Sequence, residues 1–544
     1  MKEQGPNIPN MWSRMEGGNY REFPSNRDKE IWSYVERLTY RAGEPISLYV
    51  HTTSASFNLE VIHDTLKPRT VLRLEAVPGI RQNTPPDAAV TGCGWTAPVV
   101  LVPDSSWGTG AFVLRSSVDG DAQGENYNDA FVVIRPEAGQ EKPMALILTT
   151  GTWAAYNDWG GANHYRSWKN DGWTDDAGRV LSRSRPWSRG LIAQPDDAMR
   201  HSDEPDLAPN ALARYPTYEW AVKHGYSLHY ASAGWGHYER RFALWAENLG
   251  YEFDVLTQDD LHHEPGCLDP YRVGVLVGHD EYWSWEMRDT MDSWLDAGGR
   301  LARFAGNMLT QIRLENDGKT QCCYKNPAKD PMLHKDPRRV TTYWDSALVA
   351  RPTAASFGVA GIRGGYTRYG YVCPRGSGGY TVYRPEHWSL ADTDLYYGDV
   401  FGAGASRILA YEVDGLSYTF RDGLPYPTDR DRAPDSVTII AMAPAAIYET
   451  NRHGVVLASP WEEILAMLTA APHMSGDPPE SFLRGNATMV SFTRGAGEVF
   501  NAGCCQWVSG LIRRDPAVEQ ITRNVLNRFL GSSGRASAIP GGAP

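Results

Sequence analysis

The sequence predicts a chain of mixed class, an all-β domain of immunoglobulin-like sandwich type over 1–140 followed by a doubly wound α/β domain over 141–531. Three observations carry this. Short alternating strands with no convincing helix between them run from 31 to 136; continuous apolar strands alternate with helical stripes from 242 to 307; and the same α/β pattern resumes after about 480. The interval 308–480 therefore reads as a long β-rich insertion. The Gly/Ala/Ser/Pro segment 532–544 reads as a disordered tail.

In the first part, Ile46, Leu48 and Val50 alternate with Ser47 and Tyr49, and Phe57, Leu59 and Val61 repeat the period of two of a half-buried strand. Phe112-Val-Leu and Phe131-Val-Val-Ile follow Gly/Pro/Asp-rich turns, and Arg41-Ala-Gly-Glu-Pro sets a turn before the first strand. At Met144 the character changes, because Ala145-Leu-Ile-Leu-Thr is continuously apolar, as a strand buried on both faces requires. Phe242, Leu244, Trp245 and Leu249 make a helical stripe ending at Gly250, Phe253-Asp-Val-Leu reads as a strand, and Val273-Gly-Val-Leu-Val as a second buried strand. Ser284 is a helix cap, Met287, Met291, Trp294 and Leu295 recur at helical spacing until Gly298-Gly299, and Leu301-Ala-Arg-Phe opens a third strand. The insertion is glycine- and tyrosine-rich, with short strands at 382–384 and 408–413. After it, 487–492 and 498–502 read as paired strands. Asp515-Pro516 caps a helix with Val518, Ile521, Val525, Leu526 and Phe529 on one face, and Gly531 stops it.

The 544 residues include 53 basic and 65 acidic side chains, a net charge of −12 spread without a Lys/Arg run, so nucleic acid and anionic membranes are not expected partners. There is no apolar run of 18 residues and the first eleven residues are polar, which makes the cytoplasm the expected location. Seven cysteines, with two vicinal pairs and no C-x-x-C spacing, read as reduced, mostly buried thiols. The 19 Trp and 28 Tyr are mostly core material, and a carbohydrate platform is the alternative use.

Ligands of open α/β sheets gather beyond the carboxyl ends of the strands. That rule singles out Gly278-His279-Asp280-Glu281-Tyr282-Trp283-Ser284, a strand-to-helix turn rich in potential ligands and acid/base groups. The plainer reading is that Asp280 or Ser284 caps the helix while Tyr282 and Trp283 pack on its flank. The turn carries no Ser or Cys nucleophile in a G-x-S-x-G elbow, so a Cys-dependent amidotransferase-like activity is disfavoured. No phosphate loop follows a strand, no H-E-x-x-H occurs, and His262-His263 lies in a polar, turn-like stretch.

Val277-Gly-His-Asp-Glu-Tyr-Trp-Ser-Trp-Glu-Met-Arg-Asp, Gly298-Gly-Arg-Leu-Ala-Arg-Phe-Ala-Gly-Asn, Gln321-Cys-Cys-Tyr-Lys with Asp330-Pro331, and Tyr411-Glu-Val-Asp-Gly resemble the large subunit of N,N-dimethylformamidase. Thr152-Trp-Ala-Ala-Tyr-Asn-Asp-Trp-Gly-Gly, Pro385-Glu-His-Trp and Ile521-Thr-Arg-Asn-Val-Leu extend the resemblance over 31–531. It implies an amidotransferase-like sheet, a mononuclear iron held by two tyrosines and one glutamate, hydrolysis of a formamide to formate and an amine, and a separate small helical subunit. A homo-oligomer is also expected. Carried onto this chain, the ligands are Tyr282, Tyr324 and Glu412, with Tyr238 and Glu386 as rivals. The family's histidine near the carboxylate has no counterpart just before Glu412, where Leu409, Ala410 and Tyr411 stand, so His387 or His279 replaces it.

The chemistry is coherent on its own terms. A phenol with a pKa of roughly 10 becomes a ligand at neutral pH only where a strong Lewis acid displaces its proton. Two tyrosinates and a carboxylate are hard anionic donors that neutralise Fe(III) and leave open positions for water and a carbonyl. Proton transfer falls to His279, Glu281 or His387, and Asn157, near Trp153, Tyr156 and Trp159, is placed to hold the carbonyl or the attacking water. The rival functions are a carbohydrate-binding or scaffolding protein with an inert α/β sheet and a zinc-type amidohydrolase of different substrate.

Overall fold

The period-two strands of the N-terminal part assemble into two sheets in the computed structural model, which describes residues 21–25, 27–118, 126–170, 172–205, 215–368, 378–447 and 461–531. The tail at 532–544, the first twenty residues and Cys373 lie outside the described residues. One sheet has three antiparallel strands in the order Ile31–Val35, Ile46–Thr52, Val99–Leu101. The other has five, in the order Thr39–Arg41, Tyr127–Arg135, Gly110–Ser117, Ser56–His63, Arg69–Pro78. Ile46, Leu48, Phe57, Leu59 and Val61 point into the shared core, whereas Ser47 and Tyr49 are half-buried. Among the described residues of this region the only helix is the four-residue Ala88–Thr91.

Strand Tyr127–Arg135 is buried along nearly its whole length, because its second face packs on the α/β part. Phe131 lies 5.4 Å from Trp153 and 5.5 Å from Trp235 between ring centroids. Arg135 reaches Asp260 at 3.3 Å and Glu264 at 2.7 Å, and Arg240 pairs with Asp64 at 2.7 Å. These buried contacts fix the two parts against each other.

The α/β part is built on an eleven-stranded sheet. Five strands run parallel in the order Asp254–Thr257, Met144–Leu148, Val273–His279, Arg300–Gly306, Gly497–Asn501. Antiparallel strands Arg484–Arg494, Thr438–Ala446, Ala360–Tyr366 and Glu412–Gly415 then continue it, with Tyr380–Val382 and Val400–Phe401 to the side. The stretch read as an insertion thus lengthens the same sheet. Continuous apolar runs suit the parallel strands because helices cover both faces. On one face Met287, Met291, Trp294 and Leu295 of Trp285–Asp296 pack with Ile147, Leu276 and Leu301. On the other, Phe242, Ala243 and Ala246 of Glu239–Asn248 and Val518, Ile521, Val525 and Leu526 of Pro516–Leu530 pack with Val273, Val275 and Val277.

Local signals act as their chemistry predicts. The Ser284 hydroxyl accepts from the Met287 amide at 3.2 Å, and Asp515 accepts from Ala517 and Val518 ahead of Pro516. Two readings need correction. The buried face of Glu239–Asn248 is Glu239, Phe242, Ala243 and Ala246, with Leu244, Trp245 and Leu249 only half-buried, because the sandwich and the C-terminal helix approach from different sides. His262 and His263 end a helix, Gln258–His263, whose Thr257 and Asp260 form a reciprocal cap. Among the tryptophans whose side chains the structure describes none is exposed, so a tryptophan platform for sugars gains no support from them. No helix of the described residues is long and apolar enough to cross a membrane.

Candidate functional site

The carboxyl ends of the parallel strands converge on one cluster. Leu148 leads into the short helix Thr150–Tyr156, Val273–His279 ends in the His-Asp-Glu-Tyr turn, Arg300–Gly306 leads to Asn307, and Gly497–Asn501 leads to Cys504 and Cys505. The antiparallel strand Glu412–Gly415 closes the group, because its edge bridges Val413 to Cys504 and the Cys505 amide donates to the Glu412 carbonyl at 3.1 Å. Two glycines make this approach possible. Gly278, at φ +85°, faces Tyr238, whose Cγ would lie 2.3 Å from an added Cβ; a Cβ on Gly151 would lie 2.5 Å from the Tyr282 carbonyl oxygen. Gly278→Ala is therefore expected to cost at least ~1 kcal/mol by urea unfolding, and an unchanged midpoint would show that the turn relaxes freely.

Within the cluster the polar atoms form a chain. The Tyr282 hydroxyl donates to the Tyr165 hydroxyl at 2.6 Å, and Tyr165 donates to Oε2 of Glu281 at 2.9 Å. Nε2 of His279 lies 3.4 Å from that same oxygen and 2.8 Å from Oε2 of Glu412. Nδ1 of His279 faces the Ser232 carbonyl at 2.8 Å, which assigns it the proton and leaves Nε2 to face the carboxylates. Thr310 donates to Oε1 of Glu281 at 3.1 Å, and the Thr152 hydroxyl accepts from the amides of Glu281 and Tyr282. Burial opposes charge on His279, but Glu412 and Glu281 outweigh it and push its pKa up to about 10. Burial likewise opposes ionisation of Glu281, and the His279 contact reverses this and holds its carboxyl below the usual range. Oε2 of Glu412 receives no aligned hydrogen bond from the described residues although the side chain is buried.

Aromatic rings wall the cluster. Tyr156 stacks on Tyr165 at 4.6 Å and lies 5.2 Å from His279, and Tyr411 meets His279 edge-on at 5.7 Å. His164 lies 6.0 Å from Tyr282, and burial brings its pKa down to about 3, so it is neutral. Lys325 places its ammonium 3.8 Å from the centre of the Tyr165 ring.

A buried arginine underpins the arrangement. Arg303 donates to Asp280 at 2.8 Å and to Asp414 at 2.5 Å, and none of the three side chains is exposed. Asp280 also accepts from Trp283 at 2.7 Å, and Asp414 from the Met308 amide at 2.8 Å. Side chains two apart on a strand share a face. Asp414 therefore anchors to Arg303 while Glu412 reaches His279.

Residues 63–520 match the family model described as N,N-dimethylformamidase beta subunit-like, C-terminal. The chain belongs to this family. Its curated relatives include the N,N-dimethylformamidase beta subunits of Alcaligenes sp and Paracoccus aminophilus, each 25% identical over 314 residues. Those matches take in 53% of this chain and 36% of each relative, so the chain spans about a third of the length of the curated relatives it matches.

Seen within the dimethylformamidase-like family, the structure brings His279, Glu281, Tyr282 and Glu412 together and places the other expected residues elsewhere. Tyr324 leaves the hairpin strand Thr320–Cys322 on the side of Arg313, 5.9 Å from its ring, among Glu315 and Asp330. Tyr165 occupies the position beside Tyr282 instead. The rival Tyr238 is near, but its hydroxyl is bonded to Gln506 at 2.8 Å and Ala231 at 3.3 Å; the rival Glu386 is exposed. His387 has Ser389 and Ser491 each 2.8 Å from a ring nitrogen, on a different part of the sheet, and burial brings its pKa down to about 4. Asn157 donates to the Pro186 carbonyl and accepts from the amides of Trp159 and Ser188, so its amide pins a loop. Trp153 donates to Glu239 and Trp159 packs with Trp32 and Trp95, which leaves Tyr156 as the member of that loop facing the cluster.

Sequence reasoning passed over Tyr165, Arg303, Asp414 and Cys505. Arg303 had a usable signal, a charge inside an apolar strand. So did Asp414, two positions from Glu412. Tyr165 had none, since it stands in an irregular loop.

Proposed function

We propose that this chain is a hydrolase of a small, nearly neutral amide of the formamide type, giving a carboxylate and an amine, with a metal held by Tyr282, Tyr165 and Glu412. The observation that carries the reading is the meeting of two phenols and two carboxylates at the strand ends, one carboxylate oxygen being buried without an aligned hydrogen bond. That oxygen faces the His279 imidazolium, Nε2 at 2.8 Å, and a metal at the site would share it with that cation. The donor set, hard and anionic, fits a mononuclear Fe(III) better than zinc. When bound, the metal supplies Lewis-acid polarisation of the amide carbonyl and acidifies water.

The chain's own residues do the rest. Glu281, kept ionised by His279 and oriented by Thr310, accepts the proton of the attacking water at Oε2. His279, carrying the proton that the two glutamates stabilise, delivers it from Nε2 to the leaving nitrogen. Tyr156 and Tyr411 exclude bulk water and offer a small, largely apolar box, which suits a formamide. The absence of a Ser or Cys nucleophile at the turn agrees with direct attack by water.

The same reading takes the N-terminal sheets as an immunoglobulin-type sandwich, the parallel sheet as amidotransferase-like, and the protein as a cytoplasmic homo-oligomer that works with a small subunit. That the curated relatives are beta subunits supports the last point. The test is purification with iron, followed by metal analysis, a visible spectrum and assay of formate and amine release from N,N-dimethylformamide. Tyrosinate-to-Fe(III) charge transfer should colour the protein, and Tyr282→Phe should remove colour, iron and turnover. Full iron occupancy in that variant would exclude Tyr282 as a ligand, and a colourless, iron-free, folded wild type would sink the iron assignment.

A further inference from the structure

Cys505 introduces a second kind of donor at the same place. It follows a turn in which Gly503 takes φ +65°, and its amide is tied to the Glu412 carbonyl. A ring nitrogen of His279, a carboxylate oxygen of Glu412 and Sγ of Cys505 all lie within 4.8 Å of one another, and all three residues are buried. Nδ1 of His279 is committed to Ser232, so the nitrogen that meets Glu412 is Nε2. Oε2 of Glu412, on a side chain 6% exposed, lacks an aligned hydrogen bond and points into this group. The neighbouring Cys504 turns the other way, toward Tyr380.

We propose that His279, Glu412 and Cys505 form a distinct position for a borderline-soft divalent cation of the zinc or cobalt type. One imidazole, one carboxylate and one thiolate are the donors such ions take, with a fourth position left for water. The oxygen-rich set, Tyr282, Tyr165 and Glu412, suits a trivalent hard ion. Glu412 belongs to both sets, so the two positions compete for one carboxylate and the identity of the bound metal follows what is supplied. Occupation of the softer position replaces the S–H bond of Cys505 and the Nε2–H bond of His279 by bonds to the metal and releases both protons to solvent. The inference shares Glu412 with the reading above, but its spectral signature is separate.

The experiment is titration of the metal-stripped full chain with Co(II) alone, followed by ultraviolet–visible absorption and metal analysis. One equivalent is expected to bind with a thiolate-to-cobalt charge-transfer band in the near ultraviolet. Cys504→Ser should keep that band, whereas Cys505→Ser should lose it and weaken Co(II) binding at least about tenfold. Tyr282→Phe should keep it while losing the ferric colour. Absence of the band in the wild type, its survival in Cys505→Ser, or its loss in Cys504→Ser with Cys505 intact would each overturn the proposal. If Cys505→Ser does not fold, the wild-type and Cys504→Ser spectra still decide the matter. Ferric colour without the cobalt–thiolate band would leave the amidase reading standing and remove this one; the converse would do the opposite.

Discussion

Arg303→Met is expected to lower the unfolding free energy by about 3–5 kcal/mol, the largest single effect on stability that the site offers. Burial opposes the guanidinium charge, and Asp414 and Asp280 more than restore it. Methionine fills much of the same volume but leaves two carboxylates facing each other in a space that admits no water. It also removes one of the two hydrogen bonds to the Asn501 amide oxygen, which keeps that from the Gly503 amide at 2.9 Å. Urea unfolding followed by far-ultraviolet circular dichroism measures the loss. A change below ~1 kcal/mol would mean that the carboxylates find other partners and that the three residues are not a unit. Arg303→Lys should recover only part of the loss, since one ammonium cannot make the paired contacts of the planar guanidinium.

Glu281→Gln is expected to reduce turnover of a formamide by about 10²–10⁴-fold, the range for removal of a general base, with little change in iron content or unfolding midpoint. The amide oxygen can still accept from Thr310 in the place of Oε1, so the side chain keeps its position, but the amino group that replaces Oε2 takes neither a proton from water nor the hydrogen bond from Tyr165. Steady-state kinetics across pH is the readout. Loss of turnover together with the acidic limb of the wild-type profile supports the role, whereas a loss below about tenfold assigns the proton transfer to another group.

The sequence was most informative where a residue's surroundings are set by its own strand or helix. Ser284 and Asp515 announce their helices by caps, Val273 to Val277 announces a two-sided strand by unbroken apolarity, and the turn after it falls where a parallel sheet gathers ligands. Tyr282, Glu281, His279 and Glu412 were reachable by those rules together with the family resemblance. Tyr165 was not, because its position depends on a loop that folds back over the turn and on a 2.6 Å contact with a residue far away in sequence. Tyr324 stands apart from the cluster for the complementary reason: the pairing of Cys322 with Arg313 turns its ring to that side, and Lys325, at φ +57°, is the residue that crosses to Tyr165. Asn157 and His387 carried suitable chemistry, and the structure engages both in local hydrogen bonds.

The distribution of the site along the polypeptide has a consequence for how the protein is made. Tyr165, the 279–282 turn, Glu412 and Cys505 leave the ribosome in that order, and at roughly 5–20 residues/s Cys505 emerges on the order of tens of seconds after Tyr165. Until Gly497–Asn501 docks beside Arg300–Gly306, the Glu412 strand is held by Ala360–Tyr366 alone and lacks its bridge from Val413 to Cys504. The proposed metal position is thereby completed only after residue 505 has been made, and truncation anywhere before it yields a polypeptide unable to assemble the complete donor set.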